Sequence, residues 1–385
     1  MSRSIPLMLA FTLGCSSKSD SGGSGLPSGT ADAVMTYTRI VEASYADSLA
    51  SAQDLDSALQ ALVAGPSAVS MSSAREAWLA SREPYLQTEV YRFYDGPIDD
   101  PEDGPEGLIN AWPLDEKYID YVEGDATTGL VNGTGTIDAA TLEGSNEVGG
   151  EKNIATGFHA IEFLLWGQDQ SDTGPGARPY TDYATDGSAT VENPDRRGQY
   201  LLVAGSLLAT HIGGVHDEWA PGATYRTAFE ADGEVGLERM LTGMIVLSGF
   251  ETGGERLQAA LDSGDQEEEH SCFSDNTHRD MIQDIQGVQN VWLGRYVRTD
   301  GSVVDGTSLQ SVVAELDAEL AGRLDARITE SLSMANGLEV PFDAEIAPGS
   351  AGNARVQALV ESLREQEQIL FEVFDLLGLS VEIPE

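Results

Sequence analysis

Apolar residues recur at three- and four-residue steps from Ala31 onward, through Val34, Tyr37, Ile40, Val41, Tyr45, Leu55, Leu59 and Leu62, until Gly65-Pro66 interrupts them. That period predicts a long amphipathic helix over 31–64. A second helix is predicted from about Ser70 to Phe93, stopped by Asp95-Gly96-Pro97, and a shorter helical piece over 108–122 around Trp112-Pro113. Further helical runs cover 193–219, 225–261, 274–296, 308–333 and 353–377, with Ser274 or Asp275 placed to cap the third of these. The stretches 96–107, 124–150 and 167–192 read as loops. At its length, 124–150 belongs with functional or mobile loops. Alternating β-patterned runs are almost absent, Gly301-Ser-Val-Val being the best of them. The predicted fold class is therefore all-α, two packed helical bundles over about 32–190 and 191–376.

One stretch departs from amphipathic patterning. Asn153 to Gly167 reads as a helix, yet Phe158, Ile161, Phe163, Leu164, Leu165 and Trp166 make it apolar nearly all round, which marks a buried helix. His159 and Glu162 lie three apart on it and share a face. An ionisable glutamate inside such a wall is costly unless it is paired or bound to a metal.

Composition narrows the class. With 64 acidic against 21 basic residues the formal charge is −43, which disfavours DNA, RNA and anionic lipid surfaces as partners. Arg3, an apolar run from Ile5 to Leu13, Gly14 and Cys15 have the layout of a lipoprotein-type signal (residues 1–15), followed by a Ser/Gly-rich linker over 16–31. Cys15 is then the lipidation site, and the expected location is the bacterial cell envelope, with contact to membrane through a lipid anchor only. Thr12 stands where that signal usually has Leu. With Cys15 acylated, Cys272 has no internal disulfide partner.

Two more polar groupings carry candidate chemistry. Trp78, Arg82, Tyr85, Glu89 and Arg92 are spaced four, three, four and three apart and form one stripe on the predicted second helix. It is either a buried Arg–Glu network fixing helix register, or a set in which Glu89 projects toward His159 and Glu162 with Arg82 and Tyr85 behind it. Asp275 and His278 repeat the three-residue spacing, serving either as cap and local donor or as ligands from the second half. His211 and His216, five apart, do not share a face, and His270, in the run Glu267-Glu-Glu-His270, reads as solvated. Carboxylates and imidazole projecting from bundle helices suit iron or manganese, with zinc and copper left open. The peptidase pattern H-E-x-x-H is absent.

Gly157-Phe-His-Ala-Ile-Glu162 with Phe-Leu-Leu-Trp-Gly167 resembles the G-x-H-x-x-E signature of imelysin proteins. Ala77 to Phe93 is similar to that family's first characteristic helix, and Asn110 to Asp115, Arg196 to Tyr200 and Ser271 to Asp280 resemble its iron-regulated protein A branch. The likeness spans about residues 32–376. It implies an imelysin-like fold of two helical bundles, an envelope location (lipid-anchored, periplasmic or outer-membrane-associated) and a link to iron acquisition. By position it implies metal binding by His159, Glu162 and Glu89, with Asp275 or His278 completing the site and Arg82, Tyr85 and Trp112 lining it. The expected ligand is a metal ion or a small iron-containing compound, handed on to an envelope transport partner. A metallopeptidase activity and a surface receptor for haem or protein are the alternatives.

Overall fold

A computed structural model describes residues 25–171 and 173–379. Cys15, its signal and most of the Ser/Gly-rich linker lie outside the described residues. The first helix, α1 (Thr30–Ala64), follows its apolar period closely. α2 (Ala68–Leu86) opens on a capping box in which the Ser67 hydroxyl takes the Ser70 N–H and Ser70 takes that of Ser67. α2 ends at Leu86 rather than Phe93. Pro84 lacks an N–H to donate and its ring crowds the preceding turn, so the helix gives out within a turn. Glu89–Tyr91 form a separate 3-10 turn.

The expected helix over 108–122 splits into turns at Glu106–Ile109 and Glu116–Ile119, because Trp112 precedes a proline and is driven out of helical backbone. The polar stretch 124–150 holds two short helical turns, and 167–192 a 3-10 turn at Tyr180–Tyr183. Next come α3 (Gly157–Trp166) and α4 (Pro194–Trp219), the latter with proline at its start as anticipated. The predicted run over 225–261 comprises a short helix at Thr224–Ala231, α5 (Gly233–Ile245), a 13-residue π-helical segment (Val246–Gln258) and a closing turn. Such wide turns are rare and concentrate at functional sites. α6 (Thr277–Leu293) precedes a small antiparallel hairpin of β1 (Arg295–Val297) and β2 (Val303–Asp305). Asp317 breaks the next run and caps α7 (Ala318–Ala335), and α8 (Gly352–Leu377) follows.

α1 packs against α2 and α4, while α3 is enclosed by α2 and α4. In the second half α8 lies along α7 and the π-helical segment. α6 bridges the halves, touching α2, the π-helical segment and α7. A large apolar core contains Trp78, Phe158, Phe163, Trp219, Phe273 and Trp292, and a smaller one gathers Leu257, Met281, Ile285, Phe342 and Leu363. No helix among the described residues is long and apolar enough to cross a membrane.

Candidate metal centre

α3 is the floor of the site, and all ten of its residues are buried. Its six large apolar side chains contribute on the order of 10 kcal/mol by burial, enough to carry the cost of one polar pair. A buried helix end needs partners for its free carbonyls. Here Tyr183 Oη donates to the Leu164 carbonyl, Arg75 donates to that of Leu165 at 2.8 and 3.1 Å, and Arg178 N–H to that of Trp166 at 2.7 Å. Gly157 starts the helix at φ +84°, and a Cβ there would lie 2.4 Å from the Ile109 carbonyl oxygen. The first letter of G-x-H-x-x-E is thus fixed by backbone packing.

On this floor His159 Nδ1 and Glu162 Oε2 are 2.9 Å apart, both fully buried. The other oxygen of Glu162 takes the Ser274 N–H at 3.0 Å and the Ser274 hydroxyl at 2.6 Å. A second pair faces the first. His270 Nδ1 lies 2.7 Å from Asp280 Oδ2, and the two imidazole rings meet edge to face with centroids 4.8 Å apart. Trp112 packs beside His159 at 5.0 Å. With Nδ1 committed to a carboxylate, each histidine has its Nε2 left for other partners, and His159 Nε2 is buried without one. His270, expected to be solvated, is 3 % exposed.

Burial holds both histidines neutral. It lowers His159, with the neighbouring His270 and Arg82 adding to the effect, and lowers His270 to about 4. Burial raises Glu162 to about 8 despite the Ser274 hydrogen bonds. Asp280 goes the other way. Burial pushes its carboxyl up, but Arg82, His270 and Ser271 together hold it far below the usual range.

A cleft of about 330 Å³ leads to His270 and Trp112. Its rim carries Glu106, Glu147, Glu251, Glu255 and Glu268 against Arg92 and Arg256, so cations are drawn toward the histidines. Glu251, Glu255 and Arg256 all come from the π-helical segment. Glu89 is not among the groups that contact the histidine pairs. It binds Arg92 at 2.8 Å and Arg256 at 2.5 Å, which override burial and hold it at about 2. Arg82 and Tyr85 pack on Phe158, with Arg82 also reaching Asn110 at 2.5 Å and Asp280 at 3.2 Å.

The predicted pair Asp275–His278 does not share a helical face. α6 begins only at Thr277, with Asn276 before it, and Asp275 has left-handed backbone at φ +56°. Asp275 turns toward Asp169 and Asp343 instead. His278 is half-buried with its Nδ1 unpartnered. His270, Asp280 and Arg256 are the participants that sequence reading overlooked. The apolar and small residues after His270, Ser271-Cys-Phe-Ser274, were the available sign that the acidic run turns inward there.

Residues 41–370 match the family model described as imelysin. The chain belongs to the imelysin family. This imelysin-family protein is 24% identical over 320 residues to iron-regulated protein A of Synechococcus elongatus, covering 80% of the chain and 76% of that relative. Its fold is similar to that of a crystal structure described as a candidate iron-regulated protein A precursor from Parabacteroides distasonis. The TM-score is 0.70 at 19% identity, over 93% of this chain and 98% of the other. The all-α imelysin fold is thereby shown.

Proposed function

We propose that this protein is a lipid-anchored component of the bacterial cell envelope that binds iron at the facing histidines, in the service of iron acquisition. The observation that carries the reading is the doubled carboxylate–histidine arrangement: two Nδ1 atoms committed to Glu162 and Asp280, and rings 4.8 Å apart. A carboxylate behind the far nitrogen fixes the tautomer and raises the basicity of a histidine that binds metal through the near one. Glu162, protonated up to about pH 8 in the metal-free protein, would give up that proton when its histidine takes a cation. On this reading His159 and His270 are the protein's nitrogen ligands, and Glu162 and Asp280 hold them in place. Oxygen ligands come from cleft glutamates or from the iron compound itself. Two imidazoles with oxygen donors suit iron, with zinc, manganese and copper as competitors. The name of the Synechococcus relative supports the link to iron.

Anaerobic titration of the purified chain with ferrous iron, followed by calorimetry, tests this. His159→Ala and His270→Ala are each expected to abolish binding, and Glu162→Gln to weaken it about 10- to 100-fold. Binding by either histidine variant as tight as the parent's would refute the proposal. Cys15→Ser is expected to release the protein from membranes without changing affinity.

A further inference from the structure

A cluster of buried carboxylates lies apart from the His159–Glu162 and His270–Asp280 pairs. Asp169, Asp275 and Asp343 each offer a carboxylate oxygen, and these atoms all lie within 4.8 Å of one another. The three aspartates are 3 %, 5 % and 7 % exposed. None of them forms a salt bridge with a lysine, arginine or histidine among the described residues. Asp169 Oδ2, Asp275 Oδ1 and both oxygens of Asp343 also lack a hydrogen-bond donor.

Glu269 adds an independent sign. It is fully buried, neither of its oxygens has a donor, and it lies within hydrogen-bonding reach of Asp343, as Asp169 does of Asp275. Three aspartates brought together in the interior, with Glu269 beside Asp343 and no positive partner, repel one another, and buried carboxylates are otherwise found paired or on metals. Burial and mutual repulsion accordingly raise Asp275 to about 8.

We infer that Asp169, Asp275 and Asp343, with Glu269 beside them, form a site for a hard divalent cation, with calcium the ion that fits. The donors are oxygen only, which excludes a preference for the soft or imidazole-seeking metals. Calcium accepts irregular sets of oxygens, whereas magnesium demands near-ideal octahedral placement. Ligands scattered over three segments suit the looser geometry. Asp169 follows α3 at its Gly167 end, Glu269 and Asp275 flank the segment that bears His270 and Ser274, and Asp343 opens the short helix Asp343–Ile346. The ion would clamp the loop after α3 to the loop before α6, which already meet through the Gly176 N–H on the Phe273 carbonyl and Gln266 on the Asp169 carbonyl.

The inference does not depend on iron binding. The test is a thermal melt of the full chain, stripped with a chelator and returned to calcium, magnesium or ferrous ion. It is run in about 1 M sodium chloride, where a Debye length of about 3 Å screens the acidic surface. Calcium at about a hundred-fold excess over its Kd is expected to raise the midpoint by roughly 4 °C or more, and magnesium by much less. Asp343→Asn is expected to raise the midpoint of the stripped protein, by relieving repulsion, and to remove the calcium shift. His159→Ala is expected to keep the calcium shift in full. No calcium shift in the parent, an equal magnesium shift, or an Asp343→Asn protein that still responds would each overturn the assignment.

Discussion

Asp280 is the group on which the second half of the candidate centre hangs, and Asp280→Ala measures how much. The carboxylate is fully buried and takes hydrogen bonds from His270 Nδ1 at 2.7 Å, Ser271 Oγ at 2.5 Å, and Arg82 and Asn276 at 3.2 Å. It is the sole salt-bridge partner of Arg82 among the described residues, and Arg82 is itself 0 % exposed. Leaving a buried charge unpaired costs about 3–5 kcal/mol, and each orphaned neutral donor about 1 kcal/mol more. With three such donors the sum is about 6–8 kcal/mol. With an unfolding entropy of about 2.1 cal/mol/K per residue over the roughly 350 described residues, the midpoint is expected to fall by about 8–11 °C. Scanning calorimetry of the metal-free protein reads this directly. Adding Arg82→Met to Asp280→Ala removes the stranded cation and is expected to restore about half of the loss. A single variant melting within about 1 °C of the parent, or a double variant that falls further, would refute the assignment of the cost to Arg82.

Four further outcomes follow from the same geometry. His270 titrates near 4 when folded and near 6.5 when unfolded, so the unfolded chain takes the proton first. The His270 contribution to stability in the metal-free state is therefore full above pH 6.5 and falls by about 3 kcal/mol as pH drops to 4, and His270→Asn is expected to flatten that limb of the urea-midpoint profile. Glu162, raised to about 8, acts with the opposite sign: its contribution is lost as pH climbs from about 4.5 to 8, and Glu162→Gln is expected to remove that decline. Gly157→Ala must hold a Cβ at φ +84° against the Ile109 carbonyl and is expected to lose about 2 kcal/mol or more in urea unfolding, an unchanged midpoint counting against the packing account. Glu147→Gln with Glu255→Gln on the cleft rim is expected to slow metal association several-fold at low salt, a difference that stopped-flow traces should lose near 1 M salt.

The long helices were legible because their partners sit on their own apolar period. α1, α4 and α8 begin and end close to where the pattern, Asn193-Pro194 and the glycines place them. His159 and Glu162 were legible for a similar reason, since three residues on one helix guarantee proximity. What failed was information that only tertiary contact supplies. Pro84 stood in plain sight, yet the helix could have continued past it with a kink, and only the loss of the last turn takes Glu89 out of the stripe and onto Arg256 from the π-helical segment. Asp275 adopts left-handed backbone that nothing in Ser274-Asp275-Asn276 demands. His270 carried three glutamates before it, a surface-like context, and its burial is decided by Asp280 ten positions later and by a ring from α3.

The two facing imidazoles come from α3 and from the segment before α6, and neither carboxylate that orients them belongs to the opposite histidine's segment. An unfolded or half-made chain thus holds no preformed nest for an ion, only dispersed single side chains. Once both halves close, an ion bound there would be a staple between distant parts of the chain, so its occupancy would register as resistance to proteolysis in the 264–276 segment. A protein that captures scarce metal in this manner reports its own loading through its durability, and cells that degrade opened chains would preferentially retain the copies that are full.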